Sequence, residues 1–398
     1  MRAFTLRKAT LVLALAACAA GAEVAQAAAF VQCPGDTNGD AIPNTPNPAV
    51  KCMHLSAGDG YVRMADGRVL YIFGFSDLTG VPLSQSIGAG LLAANFPAPT
   101  IELSEGQAFY LTVTNVGMTM RPDLFDPHSV HFHGFSNQAP IFDGLPETSV
   151  SVNMGASLSY FYNPTEPGTY MYHCHVEATE HMQMGMLGNL YVQPAQNGSP
   201  RTYGGRTYTR FVYNDGDGAT GYNKEYALQL GSMDHNFHDA SESIQPLPFA
   251  DMRDTYPMIN GRGYPDTVNP TPLPAPDENG GIVSQKVSSF ITINRAVEGE
   301  RILLRISDLN VTNFYTVTAL GLPMKVVGGG ARIARGPDGK DLFQDTNSVT
   351  LGGGEAVEVI IDTAGVPAGT YFLYTTNLNF LSNNDEDLGG MMTEIVVL

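Results

Sequence analysis

The sequence predicts an all-β protein of two tandem Greek-key β-sandwiches, and three observations carry that expectation. From about residue 61 onward the chain is a series of short runs with period-two alternation. Gly, Pro, Asn and Asp punctuate these runs, and helical periodicity is scarce. Its 43 glycines and 26 prolines fit a turn-rich β protein. The two halves also repeat, and 398 residues leave room for two sandwiches.

Residues 1–27 read as a signal peptide. Arg2, Arg7 and Lys8 precede the apolar run "ATLVLALAACAAGA", and "AQA" at 25–27 is a small-x-small cleavage site. The run is shorter than the roughly 20 residues a membrane span needs. "LAAC" at 15–18 also resembles a lipoprotein box with Cys18 as the lipidated residue. Both readings place the mature chain outside the cytoplasm, in a periplasmic or extracellular setting. A polar, proline-rich segment, 28–60, follows. Its Cys33 and Cys52 are expected to pair, because exported chains keep disulfides. Its "DTNGDAIPN" spaces Asp36, Asn38 and Asp40 like the start of a calcium loop. No Glu follows at the distance such a loop needs, so an Asx-turn region is the plainer reading.

The first sandwich is expected over 61–195, with strands at "RVLYIFGF", "QAFYLTVTN", "SVSVNM", "SLSYFY" and "GTYMYH". A polar linker spans 193–206. The second sandwich, 196–398, carries "SSFITINR", "RILLRISDL", "NFYTVTAL", "AVEVIIDT" and "GTYFLYTTN". In the repeat, "SEGQAFYLTVTN" answers to "VEGERILLRISD", "PGTYMYHCH" to "AGTYFLYTTN", and "GML" to "GMM". Pairing Tyr172 with Tyr374 puts Thr375, Thr376 and Asn377 where the first copy has His173, Cys174 and His175.

The formal charge of −18 argues against nucleic acid or anionic lipid as a partner. It suits a soluble exported protein or one that handles cations.

Chemistry concentrates in the first sandwich. "HSVHFHGF" holds His128, His131 and His133, and "YHCHVEATEHMQMGM" holds His173, Cys174, His175, His181 and Met186. Alternate residues on a strand share a face, so His131 pairs in direction with His133, and His173 with His175, while Cys174 faces away. Two metal sites back to back follow. A free thiol in an oxidising compartment needs an occupant. One thiolate, two imidazoles (His128, His181) and a weak thioether (Met186) make the trigonal His₂Cys set with a long axial Met that holds blue copper. Zinc, the rival for such donors, prefers four strong ligands. Four crowded imidazoles on the other face would be costly to bury without a metal.

These motifs resemble the paired copper signatures of the multicopper oxidases, the laccase-like proteins of cupredoxin fold: H-x-x-H-x-H-G, then H-C-H, a downstream His and G-M. "FPAPTIELSEGQ", "FDGLPETSVSV", "MINGRGYPD" and "LGGGEAVEVIIDT" add to the likeness, which spans about 60–398. The resemblance implies that His128, Cys174, His181 and Met186 are type 1 copper ligands. It implies a type 2 role for His131 and type 3 roles for His133, His173 and His175. Asp143 resembles the acidic residue that assists proton delivery. One departure stands out: five residues, not three, separate His175 from His181.

The implied activity takes single electrons from a small-molecule or metal-ion reductant and passes them through Cys174 to a cluster that reduces O2 to water. The reductant stays open among phenols and cuprous, ferrous and manganous ions. The family's trinuclear cluster uses eight histidines, and this chain offers four. Two copies across a two-fold axis, or a different chain, could supply the rest. Otherwise the protein is a blue-copper electron carrier or copper-handling protein. A nitrite-reductase-like site is a weaker option, because those enzymes lack the second histidine of H-C-H. His54 reads as structural, and His235 and His238 lack the H-x-H pattern. Met118, Met120, Met182 and Met184 read as core filler rather than as cuprous ligands.

Overall fold

The computed structural model describes residues 32–135, 138–294 and 299–398. The expected leader, its cleavage site and Cys18 lie outside the described residues. Among the described residues no helix is long and apolar enough to cross a membrane.

The first sandwich has two four-stranded sheets. One runs β2 (Val69–Asp77), β1 (Val50–Arg63), β4 (Ala108–Gly117), β6 (Ser157–Tyr162). The other runs β3 (Ala98–Ser104), β8 (Leu187–Gln193), β7 (Gly168–His173), β5 (His131–Phe132). β1 crosses the boundary expected at 60/61. Its "AGDGY" looks like a turn. Asp59 is nevertheless buried in the ladder, accepting from the Tyr71 hydroxyl at 2.9 Å and the Met120 N–H at 2.8 Å. "SVSVNM" supplies only a single bridge, Val152 to His128, rather than a strand. The helices among the described residues include α1 (Ser86–Gly90), α2 (Ala178–Gln183) and α3 (His235–Glu242).

Between the sheets lies an aromatic core that includes Phe109, Phe132, Tyr160, Tyr162 and Tyr172. Phe132 faces Tyr172 across the β5–β7 pair, one step from the His131–His173 pair. Because neighbours on a strand point to opposite faces, burying these rings delivers the histidines to the other face. Each fully buried ring is worth about 1.5–3 kcal/mol.

Cys33 and Cys52 are joined in a disulfide that ties the polar prelude to β1. In that prelude the Asp36 carboxylate is spent internally. It accepts from the N–H groups of Asn38, Gly39, Asp40 and Ala41. Asp40 accepts from the Ile42 N–H and from the Asn38 side chain. This is the Asx-turn arrangement.

The second sandwich repeats the plan. One sheet contains β10 (Tyr256–Ile259), β9 (Lys224–Met233), β12 (Arg301–Asp308), β16 (Glu355–Asp362) and β14 (Met324–Gly329), in that order. The other runs β11 (Ile291–Ile293), β18 (Met392–Val397), β17 (Gly369–Thr375), β13 (Tyr315–Ala319), β15 (Val349–Leu351). The parallel pairs recur as well: β1 with β4 and β9 with β12, then β3 with β8 and β11 with β18.

The ladder corrects the expected alignment of the repeat by one residue. Gly168 pairs with Val192, and Gly369 with Val397. At the other end His173 pairs with Leu187, and Tyr374 with Met392. The Tyr170 hydroxyl donates to Glu166 O, and the Tyr371 hydroxyl to Pro367 O. So Tyr374, Thr375 and Thr376, not Thr375, Thr376 and Asn377, answer to His173, Cys174 and His175. A one-residue slip exchanges the faces of a strand, so the difference decides which side chain stands where the thiol does. The two tyrosines matched from sequence, Tyr172 and Tyr374, therefore sit on opposite faces.

A buried polar seam joins the sandwiches. The Arg305 guanidinium donates to Glu225 (2.9 Å) and to the Thr169 hydroxyl (3.3 Å), and lies 4.8 Å from the Tyr191 ring centre. Glu358 accepts from the Thr169 N–H (2.8 Å) and the Tyr213 hydroxyl (2.7 Å). The helix α3, capped by Asp234 accepting from the Asn236 N–H, sends Phe237 into the core of the first sandwich.

Candidate metal centre

Cys174 follows the last residue of β7 and is fully buried. Its N–H donates to Met186 O (3.1 Å), and the Met186 N–H donates to His181 O (2.8 Å). These bonds fold the loop back, so thiol, imidazole and thioether share one buried place. Cys174 Sγ lies 3.7 Å from His128 Nδ1 and 3.2 Å from His181 Nδ1. Donors about 2.0–2.3 Å from one ion and about 120° apart would lie roughly 3.6–3.7 Å from each other. His128, Cys174, His181 and Met186 are all buried. The five-residue spacing before His181 is taken up by a turn at Glu177, φ +45°, and by α2.

Burial sets the protonation here. It pushes the Cys174 thiol up to about 12 and His181 down to about 4, and it holds His128 well below the usual imidazole range. The imidazoles are therefore neutral and able to ligate, and a bound cation would be needed to draw off the thiol proton.

On the opposite face, donor atoms of His131, His133 and His173 lie within 4.8 Å of one another. The His175 ring centre is 5.1 Å from that of His131 and 5.5 Å from that of His173. Each ring of the trio is aimed by a carbonyl. His131 Nδ1–H donates to Asp143 O (2.6 Å), and His173 Nδ1–H to Cys174 O (2.7 Å). His133 hydrogen-bonds the Gly354 backbone of the second sandwich. With its Nδ1 committed, His173 presents the lone pair of Nε2 to His133 Nε2, 2.9 Å away. Neutral imidazole nitrogens held this close by rings that are fixed from behind fit a metal. Burial lowers His133, and lowers His173 to about 3.

This cluster opens into a cleft of about 410 Å³ between the sandwiches, bounded on the far side by Gly330, Gly354 and Ala356. Asp143 lies beside it. Its carbonyl aims His131, while its carboxylate stands 3.7 Å from His131 Nδ1. The glycine that follows is required. Gly144 has φ +79°, and a Cβ there would meet Val130 O at 2.2 Å.

The other histidines fall elsewhere. His54 is buried and bonded to the Thr114 hydroxyl (2.8 Å). His235 pairs with the Thr255 hydroxyl and borders a separate cleft with Asp254 and Asn379. His238 is buried between Tyr71 O (2.6 Å) and Gln183 O (3.0 Å), so it grips the loop that carries His181 and Met186. Met118 and Met184 lie in the main core, Met182 packs against a smaller one, and Met120 is exposed.

Two contributors carry no local signal. Gly354 reaches His133 from 221 residues away. Asp126, two residues before His128, places Oδ2 4.0 Å from the otherwise unpartnered His181 Nε2.

Residues 87–197, which carry every one of these donors, match the sequence model of the multicopper oxidases. This stretch is a multicopper oxidase domain. A laccase of Aspergillus fumigatus is 31% identical over 121 residues, 30% of this chain and 19% of the laccase. The chain thus spans about a fifth of that relative's length. Among solved structures, the blue copper oxidase of Nitrosomonas europaea superposes with a TM-score of 0.63 at 21% identity, covering 86% of this chain and 85% of that one. A copper nitrite reductase of the same organism gives 0.56 at 16% identity, covering 88% and 93%. At such identities the likeness establishes the two-sandwich cupredoxin fold. The multicopper oxidase domain occupies the first sandwich of that fold.

Proposed function

We propose that the protein is an exported copper oxidase. His128, Cys174, His181 and Met186 would hold a type 1 copper, and His131, His133, His173 and His175 a copper cluster. Copper in these sites supplies one-electron chemistry and activates dioxygen. The residues supply the route. Cys174 lies in one site, its chain neighbours His173 and His175 in the other, so a single peptide segment connects them. That back-to-back placement carries the proposal. Asp143, beside His131 at the cleft, would deliver protons for oxygen reduction. Dioxygen reaches the cluster through the cleft, and a phenolic or metal-ion reductant gives its electrons on the Cys174 side. The Cys33–Cys52 disulfide supports an oxidising compartment.

The missing half of the cluster would come from a second copy or a partner chain. One observation favours the rival reading, an electron carrier without oxidase activity: the second sandwich faces the cleft with Gly330, Gly354 and Ala356, none of which can ligate. The nitrite-reductase-like variant of that reading needs only one copper on the histidine side. Copper content and oxygen uptake separate these readings. In His175→Ala the blue colour should persist while oxygen uptake is lost. Uptake at the parent rate would refute the cluster assignment.

A further inference from the structure

The second sandwich keeps the frame of the thiol site. The Thr375 N–H donates to Met391 O (3.0 Å), as the Cys174 N–H does to Met186 O (3.1 Å). The Met391 N–H donates to Phe380 O (3.0 Å), as the Met186 N–H does to His181 O (2.8 Å). Tyr315 pairs with Leu351 where His128 bridges Val152. The Tyr315 and Phe380 ring centres are 5.0 Å apart, the same separation as His128 and His181. So Tyr315, Thr375, Phe380 and Met391 occupy the places of His128, Cys174, His181 and Met186.

We propose that this is a plugged type 1 copper pocket, complete in backbone and axial thioether, which takes a copper ion once its three strong donors are restored. The plug is steric and chemical. Two larger rings stand where imidazoles would leave room for an ion. Tyr315, Thr375 and Met391 are fully buried. Thr375 Oγ1 has no hydrogen-bond partner among the described residues, a polar atom left in the place of the thiol. A buried hydroxyl left without a partner is destabilising, as expected of a residue that replaced a metal-binding thiol. The opposite face has been emptied as well. The ladder puts Thr318, Leu320, Tyr374 and Thr376 at the positions of His131, His133, His173 and His175. A copper restored here would therefore have no neighbouring cluster and would add colour without adding oxygen uptake.

The test uses the full chain carrying Cys174→Ala, which removes the first blue centre. Into it go Tyr315→His, Thr375→Cys and Phe380→His. Copper titration, visible absorption and paramagnetic resonance should report one further copper per chain and a thiolate-to-copper band. A variant that melts cooperatively yet binds no further copper, or binds it without that band, would overturn the proposal. If the variant does not fold, the reciprocal change decides: His128→Tyr, Cys174→Thr and His181→Phe should give a copper-free first pocket that still melts cooperatively. Collapse of that protein would also overturn the proposal, because the two pockets would then not be interchangeable. A plugged copper pocket in the second sandwich presupposes copper in the first. Copper titration of the parent checks that reading separately: a parent that never turns blue sinks the proposed function on its own.

Discussion

Gly354→Ala tests whether the second sandwich shapes the histidine cluster of the first. Gly354 has φ +96°, and a Cβ there would stand 3.1 Å from His133 Cε1 and 3.3 Å from Nδ1. The backbone conformation alone should cost about 1–3 kcal/mol for a residue with a side chain. At about 2–4 °C per kcal/mol for a domain of this size, the melting midpoint should fall on the order of 5 °C. The second effect is local. The contact is tight enough that the His133 ring must yield by a few tenths of an ångström. Metal sites tolerate about 0.2 Å in their bond lengths. Copper bound by His133 should therefore loosen, while the site of Cys174 on the opposite face is untouched. The assay is a paired readout on purified, copper-saturated protein: blue absorbance per chain, and non-blue copper per chain with oxygen uptake. Blue absorbance should hold, and the other two should fall together. If all three stay at parent values while the midpoint drops, His133 is not a ligand and the cleft is only structural.

Three further outcomes follow from the same geometry. His238→Phe removes the one N–H that this buried, neutral ring can give to Tyr71 O or Gln183 O, at about 1–3 kcal/mol. It should also shift the blue absorption, because Gln183 lies between His181 and Met186; an unchanged spectrum would assign His238 to core packing alone. Arg305→Met removes the fully buried cation of the inter-sandwich seam and should cost about 3 kcal/mol in denaturant unfolding, since Glu358 stays buried while Glu225 keeps its ion pair with Arg210. Burial raises Asp308 to about 7 from the ordinary 3.8. For an acid shifted upward, the folded state keeps its proton longer than the unfolded chain. Stability present below about pH 4 is then lost as pH climbs to about 7, by about 4 kcal/mol in total. Asp308→Asn should flatten that slope; parallel pH profiles for parent and variant would refute it.

Sequence pattern reached the site further than it reached the frame. "SLSYFY" and "GTYMYH" coincide with β6 and β7, because short aromatic-rich runs bounded by turn residues mark strands in the residues themselves, whether partly buried as β6 or fully buried as β7. The donors were legible for the same reason: H-x-H and H-C-H place groups on chosen faces at a fixed period. "SVSVNM" has the same alternation but no second partner, and it forms one bridge only. Contacts between distant segments leave no such trace. Nothing near residue 354 announces His133, and nothing in "MDHNFHD" announces that His238 grips the loop of another sandwich.

The slip in the repeat is the most instructive case. Two tyrosines, Tyr172 and Tyr374, invite a match by identity, yet the hydrogen-bond ladder aligns Gly168 with Gly369 and sets them on opposite faces. Residue likeness tolerates a gap of one. A sheet does not, because a shift of one residue turns every side chain through the sheet. Only the ladder, therefore, could identify Thr375 as the counterpart of Cys174. With that register in place, Met391 falls where Met186 does, and the loss of three donors reads as replacement within a conserved frame rather than as a different fold. The same register explains why the second sandwich cannot complete the histidine cluster of its own kind: the faces that would carry imidazoles carry Thr318, Leu320, Tyr374 and Thr376.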